Sequence, residues 1–214
     1  MVNALAPLPQ PESTHESGGY LKGVAIAVVT QNRDPDGLGR VKLKFSWESE
    51  PRESDWARCA VPMAGKDRGT YFLPEVGDEV LVAFEREDMR FPYVLGALWN
   101  GQDAPPDNNS DGKNDRRVIK SRKGHTLTFD DGEQVGVELR LQDGKHLKID
   151  DQGLMLEDGK GNKVSIASSS GAISIEATQS LTLRAPSITL DAAGTAELKA
   201  GATMTVRGGL VQIN

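Results

Sequence analysis

One short phrase is repeated along the C-terminal part of this chain: ISIEA (173–177), LTLRA (181–185), ITLDA (188–192), AELKA (196–200), MTVRG (204–208) and LVQIN (210–214). Each phrase alternates apolar with polar residues, which is the period of a half-buried β-strand. The phrases restart about every seven or eight residues, and mostly Gly, Ala, Ser or Pro stand between them. Because no helix fits this spacing, the repeat predicts a stack of short strands.

The spacing also predicts how the strands are covered. A strand of about five residues is unstable alone, and connections of two or three residues leave little room for ordinary hairpins. A solenoid of such short legs encloses only a thin core, so a lone chain would expose apolar side chains and open edges, which two further copies would cover. We therefore predict that residues 117–214 form a homotrimeric, triple-stranded intertwined β-helix with a core of Ile173, Ile175, Leu181, Leu183, Ile188, Leu190, Leu198, Met204 and Val206.

The N-terminal half has a different sequence pattern. Apolar or alternating stretches separated by turn residues occur at 23–29, 40–45, 56–61, 78–85 and 93–99. The continuous apolar run 23–29 predicts a buried strand before the turn Asp34-Pro35-Asp36-Gly37, and the alternation at 40–45 places Val41, Leu43 and Phe45 on one face. Five short strands in about eighty residues, without a helical period, are typical of a small Greek-key barrel of the OB type. We place this OB-fold domain at residues 20–101, after a flexible Pro- and Ser-containing tether (1–19) and before a linker (102–116).

Composition limits the function classes. The net charge is −6, which argues against a nucleic-acid partner because backbone binding depends on a basic excess. The single cysteine, Cys59, excludes an intrachain disulfide framework and is expected to be a small buried side chain. No apolar run reaches the length of a membrane span, and the N-terminus lacks a signal-peptide pattern, so a soluble product is expected.

Few residues suggest a metal site. Asp107-x-Asn109-x-Asp111 begins like a calcium loop, but position twelve is Val118, where a bidentate Glu is needed, so a solvated linker is favoured. His125 and His146 have no Cys or His partners at ligand spacing. We predict no metal and no cofactor.

Catalytic patterns are equally sparse. The chain has no Gly-x-Ser-x-Gly elbow, no Cys-His arrangement and no Gly-rich phosphate loop. The acidic pairs 130–131 and 150–151 could imitate a glycosidase pair, but the neighbouring Gly132 and Gly153 favour turns. We predict that the protein is not an enzyme.

The OB region also carries a family resemblance. The phrases GRVKLKFSW (39–47), LPEVGDEVLVAF (73–84) and the stretch 92–100 closely resemble the OB domain of contractile injection spikes. That family includes the valine-glycine repeat spike of type VI secretion, phage baseplate assembly protein V and spikes of extracellular phage-tail-like particles. The resemblance spans roughly residues 21–214, and the OB motif comprises Gly39, Arg40, Val41, Phe45, Trp47, Leu73, Pro74, Gly77, Asp78, Glu79, Val80, Pro92, Gly96 and Asn100.

The resemblance implies a structural central spike that is made in the cytoplasm, assembles into a baseplate on a hub and punctures the target envelope when the sheath contracts. Only about twenty residues precede the barrel, so a trimeric hub is expected to be a separate chain and the protein a short form of the family. Some related spikes end in a metal-binding His-x-His apex. This chain has none there, which implies a blunt apex for a proline-alanine-alanine-arginine repeat tip protein at Leu210, Val211, Gln212, Ile213 and Asn214.

Two alternatives remain open at this point. An OB barrel with Arg40, Lys42 and Lys44 on one strand could bind single-stranded nucleic acid, since many OB folds do so. A β-helical tail protein could instead degrade glycans with paired acids on an outer groove. The sequence does not distinguish a phage from an extracellular particle or a type VI apparatus.

Overall fold

A computed structural model describes residues 21–47 and 52–213 of the chain. The chain divides into two units, Met1–Gly112 and Lys113–Asn214, and this division falls inside the predicted linker. The predicted tether (1–19) lies outside the described residues.

In residues 21–47 and 52–112, the described part of the first unit, there are seven strands and one short 3-10 turn, Glu85–Glu87. Five strands form one sheet in the order β2-β1-β6-β7-β3, and the hairpin of β4 and β5 stands apart. Four of the five predicted strands are present at similar bounds, whereas the predicted third strand contributes only two residues, which pair in parallel with β7. The strands are β1 (Val24–Gln31), β2 (Lys42–Phe45), β3 (Arg58–Cys59), β4 (Ala64–Gly65), β5 (Arg68–Gly69), β6 (Glu79–Phe84) and β7 (Pro92–Ala97).

Strict alternation builds the core of this unit. β2 buries Leu43 and Phe45, as its pattern predicts, and β6 buries Val80 and Val82. The prediction for β1 is wrong in one respect, because its continuous apolar run was expected to be buried throughout. Only one face of β1 packs on the core, and the residues of its other face are exposed: Val24, Ile26 and Val28. The sheet is covered on one side alone, which is common in antiparallel sheets.

The second unit contains one seven-stranded antiparallel sheet in strict chain order. Every neighbouring pair is a hairpin of two five-residue strands in regular register. The strands are β8 (Arg116–Lys120), β9 (Thr126–Asp130), β10 (Gly136–Arg140), β11 (His146–Asp150), β12 (Gly153–Glu157), β13 (Lys163–Ala167) and β14 (Ala172–Glu176). The connections of two to five residues carry turn residues, and the two-residue turn between β11 and β12 shows that a short connection does not exclude a hairpin.

The later repeats behave differently within one chain. Residues 177–213 are all described, and none of them belongs to a strand. Thr178 joins this segment to the sheet, since its backbone N–H donates to the side-chain oxygen of Asn162 at 2.8 Å. Beyond that point the apolar side chains are exposed, as expected for strand-length repeats that have no neighbouring strand of their own chain to pair with.

Candidate trimer interface

One face of the seven-stranded sheet is apolar from edge to edge. Cross-strand pairing aligns its side chains in two columns perpendicular to the strands, one across all seven strands and one across the six strands β9–β14. The first column is Ile119, Leu127, Leu139, Leu147, Leu156, Val164 and Ile175. The second is Phe129, Val137, Ile149, Leu154, Ile166 and Ile173.

In several strands of this sheet, the apolar side chains are more exposed than the polar side chains between them. In β11, Leu147 and Ile149 are 39% and 46% exposed, whereas Lys148 between them is half-buried. The same inversion holds in β13, where Ser165 is better covered than Val164 or Ile166. Apolar columns of this extent, most of whose members are exposed to water, mark an interaction surface.

The accessible area supports the same conclusion. One chain of 23.1 kDa exposes 18197 Å². A folded monomer of that mass exposes about 9,700 Å². The large apolar side chains that are exposed in the described residues contribute to this excess, and their removal from water would favour association.

The predicted trimer core is divided between two regions. Ile173 and Ile175 end the two apolar columns, on β14. The other seven residues lie in 177–213 and are exposed, and a single chain does not bring them together. Sequence reasoning missed the eleven earlier members of the columns, although phrases such as His146-Leu147-Lys148-Ile149-Asp150 show the same alternation.

The residues predicted to receive a tip protein are also uncovered. Leu210 and Ile213 are 78% and 92% exposed, and Val211 and Gln212 are exposed as well. Asn214 lies outside the described residues. Within one chain these residues form no shaped site.

The OB motif residues stabilise loops and core of the first unit. Val41, Phe45 and Val80 are buried. Trp47 stacks on Phe45 with ring centroids 4.7 Å apart, and Leu73 packs against the core. Pro92 begins β7 and Gly96 lies at the irregular register between β6 and β7.

Turn geometry accounts for several other motif residues. Gly39 and Gly77 adopt φ of 68° and 101°, which favour glycine. The Asp78 carboxylate accepts the Glu75 N–H at 2.8 Å, and the Asn100 side-chain oxygen accepts the N–H groups of Gln102 and Asp103. Glu79 begins β6 and pairs with Val28, the Pro74 carbonyl accepts from Asn32, and Arg40 binds Asp34.

The acidic pairs serve turns. The Asp150 carboxylate accepts the backbone N–H groups of Gln152 and Gly153, and it forms an ion pair with Lys148 at 2.6 Å. The Lys148 side chain is the main reason that the pKa of Asp150 is lowered. A general acid needs a raised pKa, so this geometry does not favour glycosidase chemistry here. Asp131 pairs with Arg117 at 2.8 Å.

The histidines and the basic stripe have partners too. His125 Nδ1 accepts the Gln142 N–H, and the Nδ1 of His146 lies 3.1 Å from the Gly144 carbonyl oxygen. Lys42 forms an ion pair with Glu53 and lies over the Trp56 ring, which neutralises part of the stripe proposed for nucleic acid.

Within residues 21–47 and 52–213, no helix has the length and apolar character needed to cross a membrane. In the same two ranges, no three His, Cys, Asp or Glu side chains cluster so as to bind a metal ion.

An OB-type domain followed by a sheet with an uncovered apolar face defines an all-β protein whose second unit presents an association surface. Comparison with known families agrees: residues 25–99 match the type VI secretion system/phage-baseplate injector OB domain, and residues 116–177 match the phage baseplate V C-terminal trimerisation domain. The second match coincides with β8–β14. Together the two matches cover more than half of the chain. The chain therefore belongs to the family of contractile injection spikes.

The similar individual proteins are spike proteins of type VI secretion systems. The chain is 33% identical over 109 residues to the type VI secretion system spike protein VgrG2a of Pseudomonas aeruginosa, covering 47% of this chain and 12% of the relative. It is 36% identical over 92 residues to VgrG5 of the same organism, covering 39% and 12%. With VgrG3 of Vibrio cholerae it shares 35% identity over 75 residues, covering 33% and 7%. The matched part is thus a small fraction of each relative's length.

Proposed function

We propose that this protein is the non-enzymatic central spike of a contractile injection baseplate, formed by three copies of the chain. The observation that carries the proposal is the continuous apolar face of the seven-stranded sheet. Three such faces turned towards a common axis would bury both columns of every chain. The match to a trimerisation domain over the same residues supports a homotrimer.

The proposed mechanism is mechanical. In the trimer, the repeats of residues 177–213 would pair with those of the neighbouring chains and close each other's edges. A force along the needle is then shared by many interchain hydrogen bonds, which would have to break together. Sheath contraction could therefore drive the needle through an envelope without unfolding it. The names of the relatives, all spike proteins of type VI secretion, support this role.

The two ends would serve assembly. We place a separate hub at the OB end, with residues 1–19 as its anchor, and a tip protein on residues 210–214. The exposed apolar side chains of Leu210 and Ile213 support the second placement. Substitution of Ile213 by Asp is expected to abolish copurification with a coexpressed tip protein, whereas Gln212→Asp is expected to have a smaller effect. Unchanged copurification of both variants would contradict the placement of a tip protein on residues 210–214.

The experiment that tests the proposed function is a measurement of mass. In light scattering after size exclusion, the purified chain is expected to show three times its 23.1 kDa mass. The same species is expected to persist in SDS at room temperature and to dissociate on boiling, because interwound strands must separate together. A stable single-copy species would contradict the proposal.

A further inference from the structure

The polar residues that flank the apolar columns also align across the sheet. At one end of the strands, Glu157 faces Lys163 and Lys163 faces Glu176. The Lys163 Nζ lies 3.2 Å from Glu176 Oε1, and His146 Nε2 lies 3.9 Å from Glu157 Oε2. The sign of the charge therefore alternates along the last strands of the sheet.

The sequence continues this alternation past the sheet. Glu176 is the residue that follows the apolar pair Ile173 and Ile175. The residues at the equivalent place in the next three repeats carry positive, negative and positive charge, and they are Arg184, Asp191 and Lys199. The alternation stops at Arg207, which follows Lys199 with the same sign.

Threefold winding would bring these charges together between chains. If each repeat occupies one face of the needle and the next repeat passes to the next face, a repeat of one chain stacks on the following repeat of its neighbour. Residue 184 of one chain then lies between residues 176 and 191 of the other two. Directly opposed charges of opposite sign stabilise neighbouring strands, and like charges destabilise them.

We propose that an alternating charge ladder between the chains sets the axial register of the three tails, and that it consists of Glu176, Arg184, Asp191 and Lys199. The apolar side chains set the register only weakly, because all the repeats except Ala196-Glu197-Leu198 present similar Ile, Leu, Met or Val residues at both inward positions. A slip of one repeat would place Glu176 against Asp191 and Arg184 against Lys199. This inference rests on the proposed function, since it requires three wound copies.

The decisive variants reverse the sign within the ladder. Asp191→Lys places four positive charges in succession, at residues 184, 191, 199 and 207. The triple variant Arg184→Glu/Asp191→Lys/Lys199→Glu restores as many opposite pairs as the natural ladder has, because residue 199 then attracts Arg207. The control Glu133→Lys makes the same charge change as Asp191→Lys, in the exposed loop between β9 and β10.

Thermal unfolding of the full-chain trimer at low ionic strength gives the readout. Asp191→Lys is expected to lower the melting temperature by roughly 3 °C or more, whereas the triple variant and Glu133→Lys stay close to the natural chain. Arg207→Glu is expected to raise the melting temperature, because it replaces the like-charged neighbours Lys199 and Arg207 by an opposite pair. These differences are expected to shrink at about 1 M salt, where the screening length falls to about 3 Å.

The outcomes separate the two proposals. If the trimer is stable and its melting temperature does not depend on the sign of the charge at residues 191 and 207, the charge ladder is wrong. The proposed spike function would be unaffected by that result. A natural chain that is monomeric at every concentration would overturn both.

Discussion

Arg40 binds Asp34 through two parallel contacts that close the loop between β1 and β2. The Arg40 Nε donates to Asp34 Oδ2 at 2.8 Å and Nη2 to Oδ1 at 2.7 Å. The same carboxylate accepts the backbone N–H groups of Asp36, Leu38 and Arg40, and its side chain is only 3% exposed. Together with a second ion pair, between Arg40 Nη2 and Asp36 Oδ2 at 2.5 Å, these contacts organise a seven-residue loop. Arg40 therefore has a structural role.

This ion pair predicts a pH dependence. The Arg40 guanidinium holds the pKa of Asp34 well below its ordinary value of about 3.9. A group with a lowered pKa in the folded state contributes stability above its unfolded pKa and loses it as the pH falls towards the folded pKa. Asp34→Asn is thus expected to destabilise the OB unit at pH 7, and the difference from the natural chain is expected to narrow below about pH 4.

Urea unfolding followed by tryptophan fluorescence at pH 7, 4 and 3 measures that difference. Asp36→Asn, which leaves both contacts between Asp34 and Arg40 in place, is the matched control. A difference between Asp34→Asn and the natural chain that is constant over this range would contradict the assigned role.

The turn between β11 and β12 depends on Gly153. Its φ is 137°, and a Cβ there would overlap the Ile166 carbonyl oxygen and approach the Ser168 nitrogen to 3.1 Å. Gly153→Ala is therefore expected to lower the melting temperature of the trimer. The control is Gly171→Ala, where φ is 67° but nothing lies within 4 Å, so only backbone strain of about 1–2 kcal/mol is expected. Equal effects of the two variants would show that the close approach of Gly153 to β13 is not required.

The two faces of β13 are predicted to differ in their response to one charge. Val164→Asp would place three carboxylates in the trimer interface, at a cost of several kcal/mol per chain, and is expected to abolish the trimer. Ser165→Asp lies on the other face and loses one hydrogen bond to Ser174, which is worth about 1 kcal/mol. This variant is expected to remain a trimer. Light scattering measures both. In a single-copy protein Val164 would stay 41% exposed, and its substitution would be tolerated.

Cys59 is predicted to report on folding. It is half-buried beside the core of the OB unit, and burial raises the pKa of its thiol. Because the thiolate is the reactive form, the thiol is expected to react with a disulfide reagent at pH 8 much more slowly in the native protein than in urea. Cys59→Ser gives the background rate. Equal native and denatured rates would show that the OB unit opens readily around β3.

Local patterns predicted much of the OB unit. The alternation of β2 identified Val41, Leu43 and Phe45 as core residues, and turn residues marked the loop that Asp34 and Arg40 close. The exposed face of β1 was missed because Val24, Ile26 and Val28 are as apolar as the residues between them. A run that is apolar at every position does not show which face is covered.

By itself, the sequence determined that the protein is all-β, that its second half repeats a strand-length phrase, and that the apolar side of those phrases needs partners from outside the chain. These properties follow from period and composition, which are local. Only the tertiary structure decided that residues 116–176 pair as hairpins and that thirteen apolar side chains align in two columns. Register depends on which strands become neighbours and on the length of their connections, and no single phrase contains that information.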